Sequence, residues 1–129
     1  MSAAGPARVL VVDDDPMIRE LVSAVLSDDD CELIVARNGR EAFDIACASH
    51  PDVVVLDVMM PGMSGFEVCR RMRDVPELRG TVVVMLTALD TPAARDEGHD
   101  SGADVYLTKP FSALDLLGAV HQAVARAVR

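Results

Sequence analysis

Five short apolar runs constrain what this 129-residue chain can fold into more than any other feature: residues 9–12 (VLVV), 33–36 (LIVA), 53–56 (VVVL), 82–86 (VVVML) and 105–107 (VYL). They are rich in β-branched residues and mostly continuous rather than alternating. A run of that kind marks a strand buried on both faces, which means a parallel sheet covered by helices. The gaps between the runs carry the helical period. Asp15 is an N-cap with Pro16 at the first helical position, and Ile18, Leu21, Val22, Val25 and Leu26 then form one apolar stripe. Asn38 with Glu41, and Ser64 with Glu67, have the spacing of a capping box, followed by apolar faces of Ala42, Phe43, Ala46 and Cys47, and of Phe66, Cys69 and Met72. Ser112 and Asp115 open a last helix through Leu116, Leu117, Val120 and Val124.

The fourth helical segment, between Asp90 and Gly102, is the weak one. Its apolar residues are alanines, and Gly98 interrupts it at about 1 kcal/mol relative to Ala, so a short or mobile helix is expected. Five alternations of strand and helix with right-handed crossovers give a doubly wound three-layer α/β fold. The length suits one domain, expected at 8–129, with residues 1–7 as a flexible N-terminal arm. No internal repeat, low-complexity tract or linker divides it.

Charge and cysteine usage exclude several classes of function. The net charge of −9 repels a phosphate backbone, so direct nucleic-acid binding is not expected, whereas metal cations and basic partner surfaces are. Charged residues interrupt every apolar stretch well short of the roughly 18 residues a membrane span needs, and the first residues have no secretory pattern. Cys31, Cys47 and Cys69 are odd in number, widely spaced and without a C-x-x-C pair, which fits small buried hydrophobes in a cytoplasmic protein. His50, His99 and His121 match no motif.

The residues able to do chemistry follow the strands. The first run ends in Asp13-Asp14-Asp15, the third in Asp57, the fourth in Thr87-Ala88 and the fifth in Thr108-Lys109-Pro110. Ligands of an open parallel sheet bind outside the carboxyl ends of its strands, so these groups gather at one edge. Carboxylates so close repel one another, and a hard cation resolves that repulsion; Mg²⁺, often held by one or two carboxylates and several waters, suits such donors, with Mn²⁺ as an alternative. Asp15 is assigned to the helix cap rather than to the metal.

Segments 11–14 (VVDD), 56–65 (LDVMMPGMSG), 86–88 (LTA), 102–104 (GAD) and 106–111 (YLTKPF) together resemble the signature of response-regulator receiver domains of two-component signalling, over roughly residues 8–126. The resemblance implies a flavodoxin-like (βα)5 fold with a five-stranded parallel sheet of order 2-1-3-4-5. It makes Asp57 the phospho-acceptor, loaded by a sensor histidine kinase or a phosphotransfer protein. Asp14, Asp57 and the backbone carbonyl of Met59 would be direct Mg²⁺ ligands, and Asp13 would reach the metal through water. Thr87 and Lys109 would stabilise the phosphoryl group, with Ala88 leaving it room, and Tyr106 would be the switch aromatic. The same resemblance implies a cis Lys109–Pro110 peptide and gives Met59 and Leu89 control over phosphoryl lifetime. It also implies a downstream effector domain or protein and a homodimer through the face between the fourth and fifth helices.

Such a chain is not an enzyme acting on external substrates; it catalyses its own phosphotransfer and autodephosphorylation. A dehalogenase-type phosphatase would need a second acid where Met59 stands. A flavodoxin-like cofactor carrier would need a phosphate cradle where three aspartates stand, and no G-x-G-x-x-G follows any strand. A degenerate receiver acting only as an interaction module is the alternative, and the intact Asp14, Asp57, Thr87 and Lys109 set argues against it. Ser64 departs from the acidic residue many relatives carry there and reads as a helix cap.

Overall fold

A computed structural model describes residues 6–27 and 31–127. The strands are β1 (Ala7–Val12), β2 (Cys31–Ala36), β3 (Val53–Leu56), β4 (Val82–Thr87) and β5 (Val105–Thr108), alternating with α1 (Pro16–Leu26), α2 (Gly39–Ser49), α3 (Gly65–Arg73), α4 (Pro92–Ser101) and α5 (Ala113–Ala127). A short 3-10 turn, Pro76–Leu78, precedes β4. All pairings are parallel and the order is β2-β1-β3-β4-β5. Register runs from Val12↔Leu56 through Leu56↔Met85 to Leu86↔Leu107, so the carboxyl ends of β1, β3, β4 and β5 lie along one edge.

Strand residues alternate between faces, and the core divides accordingly. Leu10, Val12, Val54, Leu56, Val83 and Met85 pack with Ala42, Ala46, Phe66, Cys69, Met72 and Ala94 of α2, α3 and α4. Val9, Val11, Val53, Val55, Val84 and Leu86 pack with Val22, Leu26, Leu116, Val120 and Ala123 of α1 and α5. Each large aliphatic side chain buried this way contributes about 1.5–3 kcal/mol.

Three expectations are corrected by this packing. Burial on both faces holds for β3 and β4 and for the last four residues of β1, but β2 and β5 are only partly buried because they are the sheet's edges. Leu21 and Cys47, read as core-facing, are exposed, as they lie at the outer margins of α1 and α2. β1 begins at Ala7, one residue inside the segment assigned to the arm; residues 1–5 of that arm lie outside the described residues.

The caps follow the sequence. Asp15 Oδ1 accepts from the Met17 N–H at 2.9 Å, Asn38 Oδ1 from Glu41 at 2.8 Å, Ser64 Oγ from Glu67 at 3.3 Å and Ser112 Oγ from Asp115 at 3.0 Å. Neither glutamate returns the bond to its own cap. Glu41 instead accepts from the Arg37 N–H at 2.7 Å, and Glu67 pairs with Arg71 at 2.8 Å. α4 is a ten-residue helix with a Thr91 cap and Pro92 at its start, closed by Gly102 at φ 109°.

The amino edge of the sheet is tied down by Arg73 at the end of α3. Its guanidinium donates to the carbonyls of Leu78, Arg79, Thr81 and Gly102 at 2.7–3.2 Å and to Asp104 Oδ2 at 3.0 Å. Asp104 in turn accepts from the Val83 N–H at 2.9 Å, so one cation joins α3, the entry to β4 and the far end of α4.

Candidate functional site

At the opposite edge the fold brings three carboxylates together. Asp13 leaves β1, Asp57 leaves β3, and one carboxylate oxygen from each of Asp13, Asp14 and Asp57 lies within 4.8 Å of the others. Asp13 and Asp57 are buried, at 3% and 5% exposure, while Asp14 is exposed. Lys109 follows β5 directly, and its peptide bond to Pro110 is cis. Its ammonium lies 3.1 Å from Asp13 Oδ2 and 3.7 Å from Asp57 Oδ2. One ammonium therefore lies against two buried acids, with the Asp14 carboxylate beside them. Burial and the neighbouring Asp13 push the Asp57 carboxyl above its ordinary 3.8, against the pull of Lys109 and a hydrogen bond from Met59. Buried carboxylates in excess of their counter-charge gain little as structure, and perturbed acids of this kind concentrate at working sites. Three hard oxygen donors within 4.8 Å fit a divalent cation such as Mg²⁺.

The loop after β3 shapes the floor. The Met59 N–H donates to Asp57 Oδ1 at 3.3 Å, while its side chain is 57% exposed. Gly62 has φ 80° and supplies the left-handed turn. Gly65 permits a closer approach: a Cβ there would meet the Asp57 carbonyl oxygen and lie 2.8 Å from Val58 Cα. Gly65 thus lets the start of α3 lie against the acid-bearing backbone.

Thr87 is fully buried at the end of β4, its Oγ1 accepting from the Leu89 N–H at 3.2 Å; Ala88 beside it is exposed. Leu89 packs against the α2–α4 side of the core. Tyr106, half-buried on β5, donates its hydroxyl to the Leu89 carbonyl at 2.7 Å. Two partners of this tyrosine escaped the sequence reading. The Arg95 guanidinium lies 5.2 Å from the ring centroid while pairing with Asp90 at 2.8 Å. Gly98, read as a helix defect, is where the ring sits, since a Cβ would fall 2.8 Å from Tyr106 Cδ2. An aromatic opposite a helix glycine was the available signal. Arg19, whose Nη1 donates to the Asp13 carbonyl, was also missed.

A 2-1-3-4-5 parallel sheet with acids and a lysine over its carboxyl edge defines a flavodoxin-like signalling module of the two-component class. The chain belongs to the response regulator receiver domain family, whose model matches residues 9–121. It is 43% identical over 121 residues to the response regulator MprA of Mycolicibacterium vanbaalenii, covering 94% of this chain and 52% of that protein. It is 44% identical over 114 residues to the response regulator PleD of Caulobacter vibrioides, covering 88% of this chain and 25% of that one. Among solved structures, the Vibrio cholerae chemotaxis protein CheY4 superposes with a TM-score of 0.87 at 38% identity, covering 92% of this chain and 98% of that one. The chain thus spans about half, or less, of the length of these curated relatives. Among the described residues, no helix is long and apolar enough to cross a membrane.

Proposed function

We propose that this receiver accepts a phosphoryl group on Asp57 from a sensor histidine kinase or a phosphotransfer protein. The observation that carries the reading is the buried Asp57 carboxylate held among Asp13, Asp14 and Lys109. An Asp57 oxygen forms the new O–P bond in line as the P–N bond of a phosphohistidine breaks, its electron pair returning to the imidazole nitrogen. Burial beside Asp13 makes the Asp57 anion a stronger nucleophile once ionised, and Lys109 offsets charge on the transferring group. Asp14, Asp57 and the Met59 carbonyl would hold Mg²⁺, with Asp13 reaching it through water. Bound there, the ion would neutralise charge on the phosphoryl oxygens.

Met17, Met59 and Leu114 are exposed apolar side chains in the segments that follow β1, β3 and β5, and suit docking of the donor protein at the carboxyl edge. Thr87, moving toward the phosphoryl group, would pull on the loop that Tyr106 holds through Leu89, altering the α4–β5–α5 face offered to an effector or to a second copy. Met59 and Leu89 offer no group to orient an attacking water, so the acyl phosphate is expected to decay slowly. Cytoplasmic residence follows from this partnership. Intact mass with Mg²⁺ and a small phosphodonor tests the reading: one phosphoryl adduct in the wild type, none in Asp57→Asn. An adduct that persists in the variant rejects Asp57 as acceptor.

A further inference from the structure

Arg19 sits at the fourth position of α1 and reaches back across the helix start, its Nη1 donating to the Asp13 carbonyl oxygen at 2.8 Å. A cation near a helix N-terminus opposes the helix dipole, and beyond the Asp15 cap the first turn of α1 has no acidic residue to offset it. Among the described residues no ion pair takes Arg19, although, after Arg37, its charge helps to lower the pKa of the more distant Glu41. Helix stability therefore gives no reason for an arginine here, and the bond it makes leads into the acidic pocket.

Every polar group of Asp13 is engaged. Its N–H donates to the Ala36 carbonyl at 3.4 Å, Oδ1 accepts from the Asp15 N–H at 2.9 Å, Oδ2 accepts from Lys109 at 3.1 Å, and its carbonyl takes Arg19. Asp14 differs. Among the described residues no hydrogen bond reaches its side chain, which is exposed, so the fold aims it only through the position of its Cβ. The Asp13 carbonyl belongs to the peptide that joins the two aspartates. Rotation of that peptide plane re-aims the Asp14 Cβ, and a charge-assisted bond to the carbonyl opposes the rotation.

We propose that Arg19 is a positioning residue of the acidic pocket, which fixes the Asp13–Asp14 peptide and so the aim of the Asp14 carboxylate at a bound divalent cation. This rests on the reading of the pocket as a Mg²⁺-assisted phosphoryl acceptor. Arg19 as a mere counter-charge makes the opposite prediction. Deleting a positive charge at the margin of the acidic pocket would tighten Mg²⁺ binding or leave it unchanged, whereas loss of positioning weakens it.

Lys109 is the only lysine in the chain, so protein labelled with ¹³C-lysine gives one lysine side-chain signal, from within the pocket. Mg²⁺ titrations followed on that signal compare wild type, Arg19→Gln and Arg19→Lys, with thermal unfolding in chelator as a control for folding. Arg19→Gln is expected to bind Mg²⁺ about tenfold more weakly, the low end for loss of an outer partner of a metal site. Arg19→Lys, with charge but no fork, should fall between. If both variants bind Mg²⁺ as tightly as wild type, or more tightly, Arg19 is a counter-charge and the proposal is wrong. A fall in melting temperature with unchanged Mg²⁺ affinity overturns it equally. A wild type that does not respond to Mg²⁺ removes the magnesium reading, and this proposal with it. Response in the wild type with no difference among variants removes this proposal alone.

Discussion

The two edges of the sheet use charge in opposite ways. At the amino edge Arg73 donates to four carbonyls and to Asp104, and Arg8 pairs with Glu32 while its N–H meets Asp52. Each group there is answered by a partner fixed in the fold. At the carboxyl edge three carboxylates cluster at a single ammonium, and Asp57, buried like Asp13, has its ionisation opposed by burial. The first arrangement closes on itself and holds the fold together. The second is left unbalanced, as the proposed role in binding a cation and a phosphoryl group requires.

Breaking the closed edge should have the largest effect. Arg73 is 21% and Asp104 25% exposed, so Arg73→Ala removes the bonds to four carbonyls and to a partly buried carboxylate, leaving Asp104 with the Val83 N–H and Arg126, and is expected to destabilise by about 3 kcal/mol. That corresponds to a melting temperature lower by about 10 °C. Arg70→Ala removes an ion pair to Glu97 of the same 3.0 Å length, but with both side chains about half exposed it should change stability by less than about 0.5 kcal/mol. Equal losses in thermal unfolding would mean that burial is not what distinguishes the two arginines.

Relieving the open edge should act with the opposite sign. The folded protein holds the Asp57 proton more tightly than the unfolded chain, whose value is the ordinary 3.8. The stability this contributes is fully present below that pH and is lost as pH rises through the folded value. In chelator, Asp57→Asn should therefore match wild type near pH 3 and exceed it by about 1–2 kcal/mol at pH 7. A gap that narrows as pH rises would contradict the assignment of strain to Asp57.

A smaller effect comes from α4, which links the edges: Arg73 pins its far end through Gly102, and Tyr106 packs at Gly98. Helix propensity alone has Gly98→Ala stabilising by about 1 kcal/mol. The added methyl would instead press on a ring already held by Leu89 and Arg95, and overpacking of about 1–3 kcal/mol exceeds that gain. Chemical denaturation should show a net loss of about 1 kcal/mol.

What the sequence made legible was what short spacing encodes. The five runs became the five strands, Asp15, Asn38, Ser64 and Ser112 became caps, and Asp13, Asp14, Asp57 and Lys109 converged because each follows a parallel strand. What stayed hidden depends on contacts across the fold. Arg73 meets Asp104 from 31 residues away, and Gly98 has a purpose only when β5 places Tyr106 beneath it. The exposure of Leu21 and Cys47 was equally hidden, because a helical stripe gives a direction and not the width of the neighbour that covers it. The partial burial of β2 and β5 followed from strand order, which the runs themselves do not contain.

The most direct test of the contrast between the edges is thermal unfolding with and without Mg²⁺, on wild type, Asp14→Ala and Asp15→Ala. Asp15 caps α1 through the Met17 N–H, whereas Asp14 belongs to the carboxylate group. At a hundredfold excess over its Kd, a ligand that binds only the folded state stabilises it by about 2.7 kcal/mol. Wild type and Asp15→Ala should both gain that amount, with Asp15→Ala starting about 1 kcal/mol lower through its lost cap. Asp14→Ala should gain little. Equal responses in the two variants, or a wild type indifferent to Mg²⁺, would contradict the account of the carboxyl edge as a cation site.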